Sequence, residues 1–493
     1  MLIVFEICNK STINKPGRAL VRITVLSALL AFFGCGGGSE RPAGPPVVSE
    51  IRAVPNPANV LSFYIHCRTG RPASVRVEYG LTPECGRSTP EVPLAAGGTG
   101  SAPGPGRVGA EGDHRVCLLG LEPESRYYYR VVCGNEHGRL RSDCRSFNTG
   151  SIPEQFPEAK IEISVPEKYS PGINIVYLYP YLVAMDMAGK IVWYYRMTEG
   201  FKLINPVKFM DNGHLLLGIY CSQRDSSSLR EITLAGEVVR DIPAPNYHHD
   251  FVPLPGGRIA YIRATAREIN GESFVGDEIV EIDDAGAIVW QWNLFDHLQP
   301  DVYCQPCSKR YFYGGWGLDW THSNTLIRTA ADDSYLLSVR HLDSILKISR
   351  TSGDILWQLG GSRSDFVFRA GEQFRHQHAL ELTPGGRYLL FDNGNHRQPV
   401  EFSRAAEYEL DPKGKTASLV WSFVLTGDNC YSSSYGDVDR LANGNILIAD
   451  FHNTLTEVTP KGEVVWRAVL FQRRAKLHQV LRLPGLYRSA CAE

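Results

Sequence analysis

Histidines recur at one register of a repeated motif in this chain. Five segments run from an apolar strand into a glycine turn, and the residue leading each segment lies seven positions before the glycine: Pro206, His249, His378, Asp437 and His478. A sixth segment begins at His322 and fits the same position without the glycine. Repeated units stacked around an axis place equivalent residues at equivalent radii. The register therefore predicts a ring of imidazoles, which indicates a reactive site rather than a packing arrangement.

Four of the six leading positions hold histidine. The chain has 14 histidines in 493 residues, so chance would place about 0.2 of them there. Imidazole can act as a nucleophile, as a general acid or base near neutral pH, or as a metal ligand. Each histidine taken singly is more simply a structural residue, but the shared register favours a functional set.

A second repeat, out of phase with the first, indicates the elements that position these histidines. Its motif is G-x-I-V-W, with glycines at 189, 236, 286, 353, 414 and 462. Each unit then contains four short strands, which is the signature of a propeller blade. The last histidine-led strand lacks an outer partner and the first I-V-W strand lacks an inner one. We therefore predict that 155–493 folds as a six-bladed, all-β propeller, closed by its two ends.

The tryptophans and the longest insertion have separate interpretations. The tryptophans recur on the outer strands, which favours packing between blades. The insertion from Asn293 to Thr321 is rich in aromatic residues and begins and ends beside the predicted channel. Loops of this length inside compact repeats are usually functional. We expect the insertion to form a lid that covers the axis and stacks on a flat substrate.

The region before the repeats predicts export and a small sandwich. Residues 1–40 combine a basic flank with a short apolar run, as in a secretory leader, and a linker starts there. The FFGC sequence resembles a lipobox, which would acylate Cys35 and anchor a periplasmic protein to the outer membrane; a plain signal peptide and secretion are the alternative. Residues 47–150 resemble a fibronectin type III sandwich, in which Tyr127 or Tyr128 would fill the tyrosine corner.

The cysteines and the charge narrow the classes of function. Ten cysteines follow the leader, and disulfides are expected in an exported chain. Cys304 and Cys307 could form a redox pair or half a metal site, but no second CxxC follows, so a local disulfide is favoured. The formal net charge of −2 gives no field that would favour nucleic acid.

The motifs around the histidines resemble those of the bacterial arylsulfate sulfotransferases. The matching segments are NYHHDFVPLPGG, DWTHSNTL, SVRHLDSILKIS, RHQHALEL and FDNGNHR. The resemblance implies a six-bladed periplasmic enzyme that moves a sulfuryl group from a phenolic sulfate ester to a phenol through a sulfated histidine, without a nucleotide. It implies His378 as the nucleophile, His249 and His322 as further catalytic residues, Asn324 as a sulfate ligand, and Arg340 as both catalytic and substrate-binding.

Sulfuryl transfer suits these residue types. The transfer resembles phosphoryl transfer, in which positioning and charge stabilisation supply most of the catalysis. Arg340 offers a planar fork to two sulfate oxygens. Neutral His378 can attack sulfur, while His249 or His322 protonates the leaving phenolate and later deprotonates the acceptor. His248 points to the other side of its strand and is expected to be structural, and the FDNGN segment to supply turn residues.

Two other classes of protein fit parts of the pattern. The G-x-I-V-W repeats are similar to those of quinoprotein dehydrogenases, although those propellers have eight blades and bind calcium through carboxylates. A non-enzymatic propeller could use the histidine ring to hold zinc or copper. For the sulfotransferase we expect no cofactor and no bound metal. We expect small aromatic substrates, no nucleic acid, membrane contact only through the lipid anchor, and a homodimer as the assembly.

Overall fold

The structure, a computed structural model, describes residues 44–92, 112–153, 156–197, 201–221, 226–308, 317–427, 430–471 and 477–487, without the side chains of 201–205 and 221. The predicted leader, with Cys35, lies outside these residues. The helical elements within them are short 3-10 turns at Pro255–Gly257, Leu294–Asp296, Ala330–Asp332 and Arg340–Leu342. None of the helices that the structure describes has the length and hydropathy to cross a membrane.

Two small antiparallel sheets form a β-sandwich ahead of the repeats. One contains Val48–Pro55, Phe63–Thr69 and Asp113–Leu118; the other contains Ser74–Gly80, Arg87–Ser88, Arg126–Asn135, Gly138–Arg141 and Arg145–Asn148. Alternating apolar side chains face the space between them, where Phe63 stacks on Phe147 at 4.1 Å between ring centroids. The hydroxyl of buried Tyr127 accepts a hydrogen bond from the Glu122 backbone N–H at 3.0 Å, as in a tyrosine corner. The fibronectin type III likeness itself stays a prediction.

Six sheets follow and form a β-propeller, as the repeat predicted. From the innermost strand outward, blade one contains Val480–Leu483, Ile173–Leu178, Tyr181–Asp186 and Ile191–Arg196, and blade two contains Phe201–Phe209, Leu215–Cys221, Ser228–Ile232 and Val238–Pro243. Blade three contains Tyr247–Pro253, Ile259–Ile269, Glu272–Ile282 and Ile288–Asn293, with Leu318–Asp319 added, and blade four contains Ser323–Thr329, Ser334–Val339, Ser344–Ser349 and Ile355–Gly360. Blade five contains His378–Leu382, Tyr388–Asp392, Arg404–Asp411 and Thr416–Val424, with Val367–Phe368 added, and blade six contains Asp437–Arg440, Ile446–Ala449, Thr454–Val458 and Val464–Phe471, with Glu158–Ser164 added.

The two ends of the repeat region close the ring in blade one. Val480–Leu483, near the carboxyl end of the repeats, pairs antiparallel with Ile173–Leu178, near their amino end. Their register places Leu483 opposite Ile173 and Val480 opposite Val176. The predicted completion of one blade by both ends of the repeats is therefore present.

Tryptophans on the outer strands join blades one, three, five and six to the blade that follows each of them. Four indole N–H groups donate to a backbone carbonyl in the turn of the following blade: Trp193 to Leu234, Trp292 to Gly353, Trp421 to Pro460 and Trp466 to Met187. Trp290 stacks on Tyr335 of blade four with ring centroids 5.6 Å apart. The predicted role in packing between blades agrees with these contacts.

Near the axis, side chains of one innermost strand accept hydrogen bonds from the backbone of the next. Five acceptors occupy this role at 2.8–3.3 Å, each bonded to the N–H named after it: Gln479 with Val207, Asp250 with Leu326, Thr325 with Leu380, Glu381 with Arg440 and Asp437 with Val480. Between blades two and three the ammonium of Lys208 lies 2.9 Å from the Asp250 carboxylate. These links fix the innermost strands to one another, so residues at the same register reach the same depth in the channel.

The described part of the insertion packs into the core instead of covering the axis. Phe295 and Trp320 are buried with ring centroids 4.9 Å apart, and Tyr303 packs edge-on against Phe274. Three of the aromatic residues assigned to a lid are therefore core residues, because the ends of the insertion run beside blade three. Tyr311, Phe312, Tyr313 and Trp316 lie outside the described residues.

Candidate active site

Left-handed backbone at the start of the innermost strands orients the histidines. His249, His322 and Ala379, which follows His378, have φ values of 57°, 53° and 49°. Strand pairing shifts at the same points in blades three, four and five, as at a β-bulge. Such backbone costs about 1–3 kcal/mol per non-glycine residue and concentrates at functional sites. Three successive blades therefore use the same local distortion to place a histidine.

The structure brings together the four residues assigned to catalysis. The rings of His249 and His322 lie 4.8 Å apart between centroids. His249, His378 and Asn324 line one axial cavity of about 190 Å³, together with His478. Arg340 starts the turn after the second strand of blade four, and its backbone N–H donates to the His322 carbonyl at 3.4 Å. The predicted ring is thus a compact cluster at one end of the channel.

Asn393 fixes the orientation and the tautomer of His378. The amide nitrogen of Asn393 donates to the carbonyl oxygens of Ser432 and Tyr435, each at 2.8 Å. Its amide oxygen therefore faces Nδ1 of His378, at 2.7 Å, and can only accept. Nδ1 must carry the proton, which leaves the Nε2 lone pair of His378 for attack on an electrophile.

A glycine supports this arrangement in the turn that follows Asn393. Gly394 has φ +74°, and a Cβ at this position would collide with the carbonyl oxygen of Phe402. Asp392, one residue before Asn393, pairs with Arg404 at 2.8 Å and is fully buried. The FDNGN segment therefore has structural members, as expected, but Asn393 contacts the predicted nucleophile.

His322 is held by a carboxylate. Its Nδ1 lies 2.6 Å from Oδ2 of Asp319, and the ring of His341 stacks on it at 4.8 Å between centroids. Burial raises the pKa of Asp319 to about 7, against the opposing effect of His341. Asp319 and His322 can therefore share a proton close to neutral pH and titrate as a unit.

His249 is held by its sequence neighbour. Nδ1 of His248 lies 2.8 Å from Nδ1 of His249, and Nε2 of His248 lies 3.0 Å from Asp277. Burial opposes ionisation of Asp277, but the charge of His248 and hydrogen bonds from Thr321 and Ser323 lower its pKa to about 2. The chain Asp277–His248–His249 sets how His249 is protonated. His248 is therefore a positioning residue as well as a buried structural one.

Arg340 is a buried cation beside these histidines. Its side chain donates to the carbonyl oxygen of Ser433 at 3.2 Å and is 7% exposed. No carboxylate lies within ion-pair distance of it among the residues that the structure describes. An uncompensated buried charge costs several kcal/mol. The position therefore favours an anionic ligand.

His378, His249 and His322 are held neutral at ordinary pH. Burial, followed by the charge of Arg340, lowers the pKa of His378 to about 3. Burial and the neighbouring histidines lower the pKa of His249 and of His322 well below the usual range. The cluster therefore presents a neutral imidazole beside a permanent positive charge, which suits an anionic ligand.

Asn324 contacts the strand that carries the nucleophile. Its Nδ2 donates to the carbonyl oxygen of Gln377, the residue before His378, at 2.7 Å. The same side chain lines the axial cavity. The predicted contact with sulfate stays a prediction, and the observed bond gives Asn324 a part in positioning His378.

Sequence reasoning missed Asp319 and assigned Asn393 to a turn. Both residues lie outside the histidine register, and each contacts Nδ1 of a histidine that lies within it. Asp319 stands three residues before His322 in DWTH, and that spacing was the available signal. Asn393 had none, because its distance from His378 is set by the pairing of two strands.

The disulfide predicted between Cys304 and Cys307 is absent. The eight cysteines whose side chains the structure describes are free: Cys67, Cys85, Cys117, Cys133, Cys144, Cys304, Cys307 and Cys430. The CxxC thiols instead approach His376 and His396, and Sγ of Cys307 lies 3.3 Å from Nε2 of His396. The two free thiols therefore lie beside two imidazoles, an arrangement that a local disulfide would not require.

Fold and site together describe a six-bladed propeller whose axis carries a cluster of buried neutral histidines and a buried arginine. The arylsulfotransferase (ASST) family model matches residues 161–468. The match covers more than half of the chain, including His249, His322, Arg340 and His378. The chain therefore belongs to the arylsulfotransferase family.

Two curated relatives are similar over part of their length. The arylsulfate sulfotransferase AssT of Escherichia coli O6:H1 (strain CFT073) is 24% identical over 291 residues, which are 44% of this chain and 48% of that protein. The enzyme of the same name from Lelliottia amnigena is 22% identical over 267 residues, 39% of this chain and 43% of that one. The chain thus spans about half the length of the curated relatives it matches.

Solved structures align at lower similarity. A Bacteroides caccae protein of unknown function aligns with 64% of this chain and 99% of its own, at 15% identity and a TM-score of 0.40. The β-propeller domain of Myceliophthora thermophila Cps50 (Swd1) aligns with 63% of this chain and 88% of its own, at 14% identity and a TM-score of 0.36. The propeller fold of this chain follows from its six sheets and their closure in blade one.

Proposed function

We propose that this protein transfers a sulfuryl group from a phenolic sulfate ester to a phenolic acceptor through an N-sulfohistidine at His378. One observation carries the proposal: Asn393 holds His378 with its Nε2 lone pair available, beside the buried guanidinium of Arg340. The neutral nucleophile and the fixed cation suit an electrophile that carries negative charge on its oxygens.

In the first half-reaction, Nε2 of His378 attacks sulfur as the bond from sulfur to the aryl oxygen breaks. The electron pair of that bond leaves on the phenolate, and the proton shared by Asp319 and His322 neutralises it. Arg340 binds two sulfate oxygens as their charge redistributes. The phenol departs and the sulfuryl group stays on His378.

In the second half-reaction, a phenolic acceptor replaces the departed phenol. His322 or His249 takes the acceptor's proton, and its oxygen attacks sulfur as the bond from nitrogen to sulfur breaks. Neutral His378 is regenerated and the new aryl sulfate leaves. The same groups act as acid and then as base, as microscopic reversibility requires.

Brief exposure of the protein to an aryl sulfate tests the intermediate. We expect intact-mass spectrometry to show a gain of one SO₃ group, placed on the peptide containing His378, and its loss when a phenol is added. Initial rates with varied donor and acceptor should give parallel lines, because the two substrates need not be bound together. Intersecting lines with no gain in mass would indicate direct transfer.

A metal-binding propeller is the second candidate, and one cluster favours it. Asp319, His322 and His341 each place a ligand atom within 4.8 Å of the others. Arg340 opposes this reading, because its charge acts on all three residues. Metal bound at this cluster would fall when His322 is replaced by asparagine, and turnover of aryl sulfate would be absent.

A further inference from the structure

Two thiols and two imidazoles that could bind a metal ion converge beside the strand that carries His378, but outside the site described above. Cys304, Cys307, His376 and His396 each contribute one ligand atom, and the four atoms lie within 4.8 Å of one another. They come from three segments: the insertion after blade three, the residues before the innermost strand of blade five, and the loop after its second strand. Because the fold brings these four side chains together from separate segments, the cluster has the form of a ligand-binding site.

A turn of the backbone directs both sulfurs to one side. The N–H groups of Cys307 and Ser308 donate to the carbonyl of Cys304, each at 3.1 Å, and the hydroxyl of Ser308 donates to it at 2.9 Å. The N–H of Cys304 donates to the carbonyl of His341 at 3.0 Å, which ties the turn to blade four. The CxxC spacing in such a turn is the usual half of a Cys2His2 zinc site.

A carboxylate lies within 4 Å of Nδ1 of each histidine. Nδ1 of His376 lies 2.9 Å from Asp343, and Nδ1 of His396 lies 3.9 Å from Glu401. Nε2 of His396 lies 3.3 Å from Sγ of Cys307, and the Asp343 carboxylate beside Nδ1 of His376 is placed as in the carboxylate–histidine–metal arrangement of known metal sites. His376 is 2% exposed, and neither of its ring nitrogens has a hydrogen bond of good geometry among the described residues. A buried imidazole nitrogen in this state is one that a ligand would satisfy.

The size and charge of the cluster suit zinc. Bonds of about 2.0–2.3 Å in a tetrahedron place ligand atoms about 3.3–3.8 Å apart, so a pair of ligand atoms in the cluster needs to approach by no more than about 1.5 Å. Both cysteines would bind as thiolates, whose two negative charges balance those of a divalent cation. A tetrahedral set of two sulfurs and two nitrogens selects zinc over hard cations.

We propose that Cys304, Cys307, His376 and His396 form a closed, structural zinc site. The metal joins the insertion to blade five and fixes the backbone two residues before His378. The site is distinct from the cluster that carries the sulfuryl transfer, and the proposal does not depend on that reaction. His376 and His396 are metal ligands in it, not catalytic residues.

Metal analysis of the whole protein tests the site. We expect the purified chain to hold zinc at one ion per chain, and the metal-depleted chain to bind cobalt(II) with the visible bands of tetrahedral thiolate coordination. Cys307→Ser and His396→Asn should each lose the zinc and change or abolish those bands. The matched controls are Cys144→Ser and His137→Asn in the sandwich, where the cysteine and the histidine ring are also exposed.

His396 separates a metal site from a disulfide. Its ring is partly exposed, so His396→Asn should fold, and a disulfide would not depend on it. Alkylation without reductant should label Cys304 and Cys307 only after a chelator removes the zinc. The proposal is overturned if the wild type takes up neither zinc nor cobalt, if His396→Asn binds them as the wild type does, or if the two thiols resist alkylation in a metal-free chain.

Discussion

The innermost strand of every blade is led by a residue at one equivalent position, and the two halves of the propeller ring fill this position differently. In blades three, four and five it supplies His249, His322 and His378, and Nδ1 of each contacts a polar side chain. In blades six, one and two it supplies Asp437, His478 and Pro206. Asp437 accepts the N–H of Val480 and so fastens one blade to the next. The register alone therefore identifies candidate catalytic residues. A polar side chain at Nδ1 of the histidine distinguishes blades three, four and five from the other three.

His478 shows the difference most clearly. It is an imidazole at the same register, and burial lowers its pKa to about 3, as for His378. Its close neighbour is the ring of Tyr435, at 3.7 Å between centroids, whereas His378 faces the amide oxygen of Asn393. Similar burial with different partners indicates a packing role for one ring and a chemical role for the other.

Blades three, four and five form the half that we propose to be reactive. Replacing His378, the proposed nucleophile in this reactive half, should abolish sulfuryl transfer. His378→Asn is close in size and uncharged, so we expect it to melt like the wild type and still bind aryl sulfates through Arg340. It cannot form the covalent adduct, so we expect no turnover and no gain of SO₃ by intact mass. If His378→Asn kept the gain while His249→Asn or His322→Asn lost it, the nucleophile would be one of those two.

The other two histidines of the reactive half should have graded effects. His249→Asn and His322→Asn should each slow transfer by about 10²–10⁴-fold, since acid–base assistance typically contributes that much. The measurement is single-turnover sulfation of His378 and its discharge to a phenol, and both steps should slow. Wild-type rates in both variants would make these rings structural and leave the reactive half with one member.

Arg340 tests whether geometry or charge alone binds the sulfuryl oxygens. Arg340→Lys keeps a cation but loses the planar fork, so kcat/KM should fall by roughly 10²-fold. Circular dichroism would show that the fold is retained. Unchanged kcat/KM in the lysine variant would remove the fork from the mechanism.

The Asp319–His322 pair predicts a pH dependence for the reactive half. Burial raises the pKa of Asp319 to about 7, so the pair keeps its proton below that pH and loses it above. kcat/KM for a phenyl sulfate should therefore fall as pH rises through about 7, and less steeply for a more acidic leaving phenol. The charged and titratable groups around Asp319 are His341, Asp277, His248, Arg340 and His322. If kcat/KM of Asp319→Asn fell with rising pH as in the wild type, the titrating group would be one of these neighbours and not Asp319.

The sequence predicted what repeats and left out what strand pairing decides. The six blades, their closure and the convergence of three histidines follow from spacing, because a propeller converts a register into a radius. The contact between Asn393 and His378 spans 15 residues and depends on which strands are neighbours. No local pattern encodes it.

The insertion shows the same limit from another side. Its length and aromatic content favoured a lid, yet Phe295 and Trp320 complete the core of blade three. The sequence motif alone favoured a local bridge at Cys304 and Cys307, because the histidines they face lie 69 or more residues away in sequence. Composition identifies which residues are unusual, whereas their partners come from the fold.

His478 offers the smallest expected effect on catalysis and the sharpest test of the comparison. His478→Asn removes the ring that packs on Tyr435 in the lining of the channel, so stability should fall by about 1 kcal/mol, as for many buried substitutions. Its rate should change far less than the about 10²-fold that lost acid–base assistance costs. His378→Asn should show the opposite pattern, with stability kept and activity lost. Thermal unfolding and single-turnover sulfation of both variants measure this contrast. If His478→Asn lost activity as His249→Asn does, the reactive set would extend to blade one, and a polar partner at Nδ1 would not be what selects it.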